Sequence, residues 1–255
     1  MTLHRIESVA KALQILTLFG IDKPKWRVTE IARELGMQKS TVHRLLATMQ
    51  EYGFVRKDTE GAHYSLGLRI FELGSLVFST LDLRNIAVSY LHKLSNQCGE
   101  TVHIGVLNEV EVMSIESVET QSGLKSTIIV GKRAPLYCTG VGKALLAFLP
   151  ADERNKIIDR LQFQKFTANT IIDKEVLTKE LDDIRSRGYA VDNMEHEVGV
   201  RCIAAPIWDR TGKVVASLSV SGPSIRITEE RIPELARLVV STTKDISAEL
   251  GAHGV

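Results

Sequence analysis

The sequence predicts an α+β protein of two domains, and three observations support that prediction. The chain has 255 residues, which exceeds one average domain and suits a small and a medium one. Near its start, two short helical patterns flank a glycine turn and are followed by two short strand patterns. Beyond Glu100, alternating and β-branched runs are interleaved with helical patterns, which is typical of an antiparallel sheet with helices packed against it.

The composition excludes several classes of protein. Apolar residues make up 44% of the chain and charged residues 25%, as in ordinary globular proteins. No apolar run approaches the roughly 18 to 20 residues that a membrane span needs. The first residues also lack the apolar stretch of a signal peptide. We therefore expect a cytoplasmic protein with no membrane partner, in which the three widely spaced cysteines form no disulfide.

The first element is predicted to be an amphipathic helix. Apolar residues recur at steps of three and four, at Val9, Leu13, Leu16 and Phe19. This spacing places them on one stripe of a helix that ends near Gly20.

Two further helices are predicted to form a helix-turn-helix motif. Residues 29–36 favour a short helix with Thr29 as N-cap and Gly36 as left-handed terminator. After a three-residue turn, residues 40–52 favour a second helix. Its inward stripe consists of Val42, Leu45, Leu46 and Met49. Two short helices joined by a tight turn match the motif that places its second helix in the major groove of DNA.

The outward face of this second helix suits a DNA duplex. No acidic residue occurs between Glu34 and Glu51, and a surface that lies against phosphates should carry such a window. Residues 1–66 hold 10 Lys and Arg against 7 Asp and Glu, whereas the rest of the chain holds 22 against 24. The alternative is a helical bundle whose polar face meets only water. The DNA contacts predicted for the two helices are Thr29, Lys39, Ser40, Thr41, His43, Arg44 and Thr48.

A hairpin is predicted directly after these helices. Residues 54–57 and 63–66 read as short strands around a turn that contains glycine. This hairpin would be the wing of a winged helix-turn-helix domain. Its cations Arg56, Lys57 and His63 are predicted to lie over the DNA backbone or the minor groove.

A helical linker is predicted to join the two domains. Ile70, Phe71, Leu73 and Leu76 form one helical stripe, and a second helix with its own apolar face ends at Gly99. We expect dimer contacts here, because an apolar helix face between two domains usually packs against a partner. The alternative is that the second helix packs only on its own chain.

The second half of the chain is predicted to combine strands with helices. Strands are expected at residues 101–107, 110–118, 125–130, 199–208 and 213–221. Helices are expected at residues 139–148, 151–161, 174–187 and 228–250. The domain boundaries predicted from these patterns are 1–66 for the winged helix, 67–98 for the linker and 99–255 for the second domain.

Several motifs along the chain are typical of one protein family. In the first domain and the linker these motifs are SVAKALQIL at 8–16, KSTVHRLL at 39–46, YSLG at 64–67 and FELG at 71–74. In the second they are GKRAPLYCTGVGKA at 131–144, GYAVDN at 188–193, GVRCIAAP at 199–206 and SLSVSGP at 217–223. With these motifs the chain resembles the IclR family of bacterial transcription regulators over nearly its whole length. The stretch 131–142 is also similar to the branch that includes repressors of pectin and sugar-acid catabolism.

The resemblance implies a GAF-like sensor domain, dimers that often pair into tetramers, and effectors that are keto, sugar or aromatic acids. The family's effector contacts carry over onto Ala134, Thr139, Gly140, Val141, Asp192, Val200, Cys202, Ser219 and Ser221. Backbone N–H groups at a helix opening near Thr139 can hold a carboxylate, and two serines on one strand face supply hydroxyls. No cofactor is expected.

Each of these residues also has a structural interpretation. The glycines beside Thr139 can serve close packing, and Ser219 and Ser221 can simply belong to a polar strand face. Cys138 and Cys202 are commonly small buried hydrophobic residues. A metal site is not expected, because the spacing of a group formed by His196 with Asp192 and Glu195 matches no standard ligand motif.

The sequence therefore predicts a DNA-binding transcription regulator, with repression favoured over activation, controlled by a small metabolite. Its partners would be operator DNA, the effector and copies of itself. One alternative is a signalling or scaffold protein that uses the winged helix for protein contacts. The other is a hydrolase with Cys202 or Cys138 as nucleophile and His196 as base, although neither cysteine lies in a nucleophile motif.

Overall fold

A computed structural model describes residues 6–58, 63–79 and 82–252 and divides the chain into two compact units, Met1–Leu81 and Asp82–Val255. The helices are α1 Glu7–Thr17, α2 Val28–Glu34, α3 Lys39–Glu51, α4 Leu68–Ser79, α5 Asp82–Cys98, α6 Gly140–Phe148, α7 Ala151–Arg160, α8 Lys174–Arg187 and α9 Ile232–Glu249. The strands are β1 Val55–Lys57, β2 Tyr64–Leu66, β3 Thr101–Asn108, β4 Glu111–Val118, β5 Arg133–Pro135, β6 Ala190–Asn193, β7 Val200–Trp208 and β8 Val214–Pro223. The α+β prediction is confirmed.

In the first unit α1, α2 and α3 form a cluster closed by the β1–β2 hairpin, and α4 follows the hairpin. Trp26 and Tyr64 exchange two backbone hydrogen bonds, of 2.9 and 2.8 Å, which fasten the hairpin to the segment before α2. The indole N–H of Trp26 donates to the carbonyl of Leu18 at 3.1 Å. The core of this unit consists of Ile15, Trp26, Ile31, Ala32, Val42, Leu46, Met49, Val55 and Tyr64. This core fixes α3 against α1 and α2, so that the opposite face of α3 is free for contacts.

The apolar stripe predicted for α1 is buried only in part, because Leu16 and Phe19 pack against the core whereas Val9 and Leu13 do not. Ile15 is fully buried, whereas Val9 and Leu13 are 52% and 57% exposed. The helix packs on α3 along a face centred on Ile15, with Ala12 and Leu16 beside it. The periodicity identified the helix, but this helix has two neighbouring apolar faces, and only one of them is covered within the unit.

The start of α2 differs from the prediction that Thr29 is its N-cap. The helix begins at Val28, and Glu30 Oε2 accepts a hydrogen bond of 2.8 Å from the backbone N–H of Arg27, the observed N-cap residue. Thr29 therefore lies in the first turn. Gly36 has a φ of +62°, which confirms its role as the left-handed terminator.

The predicted linker, residues 67–98, is divided between the two units. In α4, Leu68 and Phe71 are 74% and 72% exposed. In α5, by contrast, Leu91 and Leu94 are buried among residues of the sheet and α9. The apolar face of α5 is thus covered by its own chain, as the alternative interpretation has it, and dimer contacts within the linker stay a prediction.

A six-stranded antiparallel sheet with the strand order β5-β4-β3-β8-β7-β6 organises the second unit. One face of the sheet carries residues such as Val102 and Leu218, which pack against α5 and α9. The other face is covered by α6, with α8 packed on α6. The predicted 101–107 and 110–118 hairpin is confirmed, and Glu109 in its turn has a φ of +58°.

Two predicted elements of the second unit are wrong in position. Residues 125–130 form no strand, and pairing with β4 begins only where Gly131 N–H donates to the Ser114 carbonyl at 2.7 Å. The edge strand is therefore β5, Arg133–Pro135. Helix α9 begins at Ile232 instead of residue 228, because Pro233 occupies its first turn, where the missing N–H costs nothing. No helix within the described ranges is both long and apolar enough to cross a membrane.

Candidate functional site

The first candidate site is the outward face of α3. Val42, Leu46 and Met49 point into the core, as the sequence predicts. On the other face Lys39, Ser40, His43, Arg44 and Thr48 are exposed and Thr41 is half-buried. Thr29, on α2, is exposed as well. The structure thus places the predicted helix contacts on the surface of one unit.

The cations of this face carry no carboxylate partner. Among the residues that the structure describes, neither Lys39 nor Arg44 takes part in an ion pair or a side-chain hydrogen bond. The N-cap residue Gln38 makes no side-chain capping bond, so the first N–H groups of α3 are uncapped. An uncapped helix opening next to unpaired cations is suited to hold phosphate.

The hairpin carries the predicted wing residues, but one of them is already engaged. The imidazole of His63 accepts a hydrogen bond of 3.0 Å from Arg27 Nε and lies 3.3 Å from an Asp58 carboxylate oxygen. Arg56 donates to Ser65 Oγ at 3.1 Å, and Lys57 is exposed. His63 therefore orients Arg27, an exposed cation that the sequence analysis missed because it lies before α2. Residues 59–62, which are predicted to form the turn of the wing, lie outside the described residues.

The second candidate site is a cavity of about 150 Å³ in the second unit. A cavity of about this volume admits a ring the size of benzene. It is lined by all nine predicted effector contacts, Ala134, Thr139, Gly140, Val141, Asp192, Val200, Cys202, Ser219 and Ser221. These residues come from β5, β6, β7, β8 and the start of α6, so only the fold brings them together.

Strand register explains why the floor of the cavity is polar. Ser221 stands between Thr101 of β3 and Cys202 of β7, and Cys202 in turn faces Asp192 of β6. The next row of the same sheet face contains Ser117, His103, Ser219 and Ala204. Because alternate residues of a strand share a face, these polar side chains lie opposite the apolar core.

Helix α6 opens against this floor. Thr139 caps the helix by accepting a hydrogen bond of 3.2 Å from Gly142 N–H. Gly142 admits no larger residue, because a Cβ there would overlap the backbone of Leu136. In the described structure the N–H groups of Gly140 and Val141 have no protein acceptor. Two free amides with the positive end of the helix dipole are chemically suited to hold an anion.

Two acidic residues line the cavity, Asp192, which is buried, and Glu197, which is exposed. Asp192 is 3% exposed, and its Oδ1 accepts a hydrogen bond of 2.7 Å from Glu195 N–H. Burial, with the nearby charge of Glu195, raises the pKa of Asp192 to about 7. Behind it Lys143 donates to Glu195 Oε1 at 2.5 Å and to the Val191 carbonyl at 2.7 Å. Asp192 can therefore donate a hydrogen bond near neutral pH, when it is protonated.

The two cysteines near the cavity are unsuited to nucleophilic chemistry. Burial raises the pKa of Cys138 to about 12 and raises that of Cys202 well above its usual value. Cys202 Sγ also accepts a hydrogen bond of 3.1 Å from Ser221 Oγ. Since the thiolate is the nucleophile, these thiols are inert at neutral pH. Within the described ranges, no group of three or more His, Cys, Asp or Glu residues is arranged to hold a metal ion.

The sequence analysis missed several residues of the cavity. His103 on β3, Lys132 and Arg133 near β5, and His196 after β6 line it together with residues 126–129. Residues 126–129 lie in the segment that was predicted to be a strand, and instead of pairing they cover the cavity. His103 stands in an apolar strand pattern, so only the register of β3 with β4 and β8 reveals its position.

The two regions of the chain that hold these sites each match a known family of domains. Residues 8–59 match the family model described as "IclR helix-turn-helix domain", and residues 75–248 match "Bacterial transcriptional regulator IclR C-terminal". The HTH-type transcriptional regulator KdgR of Escherichia coli K12 is 38% identical over 248 residues, which are 97% of this chain and 94% of that protein. The HTH-type transcriptional repressor AllR of the same organism is 38% identical over 224 residues, or 88% and 83% of the two chains.

Solved structures share the whole fold. The Thermotoga maritima IclR structure is 34% identical, has a TM-score of 0.78 and covers 97% of this chain and 100% of that one. An IclR homologue of Microbacterium hydrocarbonoxydans, complexed with 4-hydroxybenzoate, is 24% identical with a TM-score of 0.84, over 95% and 98% of the two chains.

Proposed function

The chain belongs to the IclR family of bacterial transcriptional regulators, and from this premise we propose that it is a repressor whose DNA affinity is set by a small carboxylate in the cavity beside α6. A relative of similar length, AllR, is named a repressor, which supports this direction of regulation. The observation that carries the proposal is the pair of free amides at Gly140 and Val141, which open onto a buried polar floor.

The DNA side of the proposal rests on α3. Its unpaired cations, Lys39 and Arg44, lie on the same face as the hydroxyls of Ser40 and Thr48. An arginine can pair with guanine in the major groove or clamp a phosphate, and hydroxyls near a helix opening reach the backbone. We assign Arg44 the central contact and the wing cations Arg56 and Lys57 the flanking backbone.

The ligand side rests on charge and size. The amides that open α6 favour an anion, and Lys132, which lines the cavity, adds a cation that has no carboxylate partner among the described residues. A cavity of about 150 Å³ limits the ligand to a small molecule. Ser219 and Ser221 offer hydroxyls from the floor. These features favour a keto, sugar or aromatic acid, and 4-hydroxybenzoate, bound by a homologue of the same fold, belongs to that class.

Self-association is part of the proposal. On α1, Ile6 precedes the helix and lies with Val9 and Leu13 along one exposed apolar face, at 66%, 52% and 57% exposure. On α4, Leu68 and Phe71 are also exposed. Exposed apolar faces of this kind usually mark protein interfaces. We assign both faces to a homodimer, which pairs two recognition helices for two half-sites of an operator.

The coupling of the two sites follows from dimer geometry. Two recognition helices bind together only when their spacing fits successive major-groove faces. A ligand that favours one of two dimer arrangements therefore changes DNA affinity without touching α3.

A thermal-shift screen of the full-length protein tests the ligand class. Each keto, sugar or aromatic acid is compared with its neutral amide. We expect an acid to raise the melting temperature and its amide to do so far less, because the amide carries no charge for the α6 opening. Acid and amide of equal effect, or no effect of any acid, would refute the proposed ligand class.

Two serine variants test whether the ligand contacts the floor of the cavity at Ser221. Ser221→Ala removes a hydroxyl from the cavity floor and should reduce the shift caused by the acid. Ser217→Ala is the matched control, since Ser217 lies on the same face of β8, is fully buried and donates to the Ala205 carbonyl outside the cavity lining. If both variants lost the acid-induced shift in melting temperature equally, the ligand would not contact Ser221.

A further inference from the structure

His103 is a buried polar residue for which the fold provides no partner. It stands in the middle of β3, is 5% exposed, and its Nδ1 is fully buried with no hydrogen bond. No hydrogen bond to its other ring nitrogen is present among the described residues either. A buried polar atom without a partner destabilises the folded state, because it has lost its hydrogen bonds to water. The fold thus tolerates an unfavourable group at this position.

The surroundings of His103 do not explain it as a structural residue. Its neighbours across the sheet are Ser117 on β4 and Ser219 on β8, and neither bonds to the imidazole. Ser117 Oγ is itself buried and unpaired. Burial lowers the pKa of His103 to about 4, so its ring is neutral and offers one donor and one acceptor.

His103 lines the same cavity as the opening of α6. Residues His103 and Gly105 share a face of β3, and a Cβ placed on Gly105 would lie 3.6 Å from Val141 Cβ. A Cβ placed on Gly140 would lie 3.3 Å from Cys202 Cβ. The opening of α6 therefore extends from β7 to β3, and His103 lines the same cavity beyond it. His103 and the two amides therefore line one cavity from different elements, β3 and α6.

We propose that His103 is a specificity-determining residue, whose imidazole hydrogen-bonds a hydroxyl or carbonyl group of the ligand remote from its carboxylate. The ligand is then a hydroxy or oxo acid, and a plain carboxylate of the same size binds less tightly. This inference rests on the proposed function, because it presupposes a carboxylate at the α6 opening.

The test uses pairs of acids that differ only in the remote polar group. The probes are 4-hydroxybenzoate with benzoate, and 5-hydroxypentanoate and 4-oxopentanoate with pentanoate, titrated calorimetrically into the full-length protein. We expect at least one hydroxy or oxo acid to bind the wild type about tenfold more tightly than its parent, the value of one buried hydrogen bond. In His103→Leu the two members of that pair should bind alike, with the affinity of the parent acid unchanged.

The melting temperature without ligand separates a binding role from a structural one. Replacing an unpaired buried imidazole by an apolar side chain should leave the protein equally stable or more stable. His103→Asn keeps a polar atom close to the ring and should retain part of the discrimination. Ser117→Ala is the control, because Ser117 Oγ is likewise buried and unpaired in the described structure but Ser117 lies outside the cavity lining, and it should change neither quantity.

The outcomes are distinguishable. No binding of any of the five acids to the wild type would overturn both the ligand class and the role of His103. Equal affinity of the two members in every pair that binds, or discrimination that survives in His103→Leu, would overturn the role of His103 alone. A discrimination lost in His103→Leu together with a large fall in its unliganded melting temperature would also overturn it, in favour of a structural role.

Discussion

Glu195 donates its backbone N–H to Asp192 Oδ1 at 2.7 Å, and both carboxyl groups are buried, although only Asp192 lines the cavity. Burial raises the pKa of both. Lys143, only 1% exposed, pairs with Glu195 at 2.5 Å. Among the described residues Glu195 thus has a cationic partner and Asp192 has none, so Asp192 is able to hold a proton near neutral pH.

This arrangement predicts that ligand binding depends on pH. The pKa of Asp192 is raised to about 7, so the group is protonated below that pH and charged above it. A charged Asp192 repels a carboxylate ligand, and the affinity should fall by up to about tenfold per pH unit above the pKa. Calorimetric titrations from about pH 6 to about pH 8.5 measure this. In Asp192→Asn the slope should vanish, and a slope that persists would assign the proton to another group.

Lys143 is predicted to be essential for stability. It lies fully buried between Glu195 at 2.5 Å and Glu180 at 3.7 Å. Lys143→Met leaves Glu195 buried without its partner, which costs about 3 to 5 kcal/mol of unfolding free energy. Urea denaturation measures the loss. The double variant with Glu195→Gln should recover a large part of it, and a double variant as unstable as the single one would mean that lost packing, not charge, dominates.

Arg44→Ala is predicted to weaken DNA binding selectively. Loss of a guanine contact by arginine costs about 1 to 3 kcal/mol, and loss of a phosphate contact reduces the slope of log affinity against log salt by about one unit. Fluorescence anisotropy with a duplex selected from a random pool, at about 0.15 M salt, measures both effects. Arg185→Ala, an exposed arginine of α8 in the other unit, is the charge-matched control. If Arg44→Ala bound the duplex as tightly as the wild type, the assignment of α3 to the DNA interface would be wrong.

Leu13→Asp is predicted to dissociate the dimer. Leu13 is 57% exposed on the apolar face of α1, and burying a carboxylate in an interface is strongly unfavourable. Sedimentation velocity should show a smaller species, while ligand binding stays unchanged. The control is Val176→Asp, at an apolar position of α8 that is 55% exposed. An unchanged oligomer in Leu13→Asp would place the interface elsewhere.

The sequence predicted best those elements whose signals are local. Helix α8 occupies the predicted residues, because Asp173 caps its start with two hydrogen bonds of 2.9 Å and Gly188 ends it with a φ of +85°. The β3–β4 hairpin is likewise local. Val9 and Leu13 show the limit, since periodicity finds an apolar face but does not say whether the same chain covers it.

Some residues of the cavity could be predicted from sequence motifs, whereas others could be found only from the fold. Motif resemblance named nine of its lining residues, and the fold brings all nine together. His103 and residues 126–129 were missed for physical reasons. A histidine in an apolar strand pattern looks like an ordinary strand residue, and the absence of hydrogen-bond partners appears only once its neighbours across the sheet are known.

The central claim is that a small carboxylate held at the opening of α6 changes the affinity of the winged helix for DNA. The direct measurement is the dissociation constant of the full-length protein for its selected duplex, with and without a saturating concentration of an acid that raises the melting temperature. We predict a change of at least about fivefold, the lower end of typical allosteric coupling. An acid that binds the cavity and leaves the DNA affinity unchanged would contradict the account.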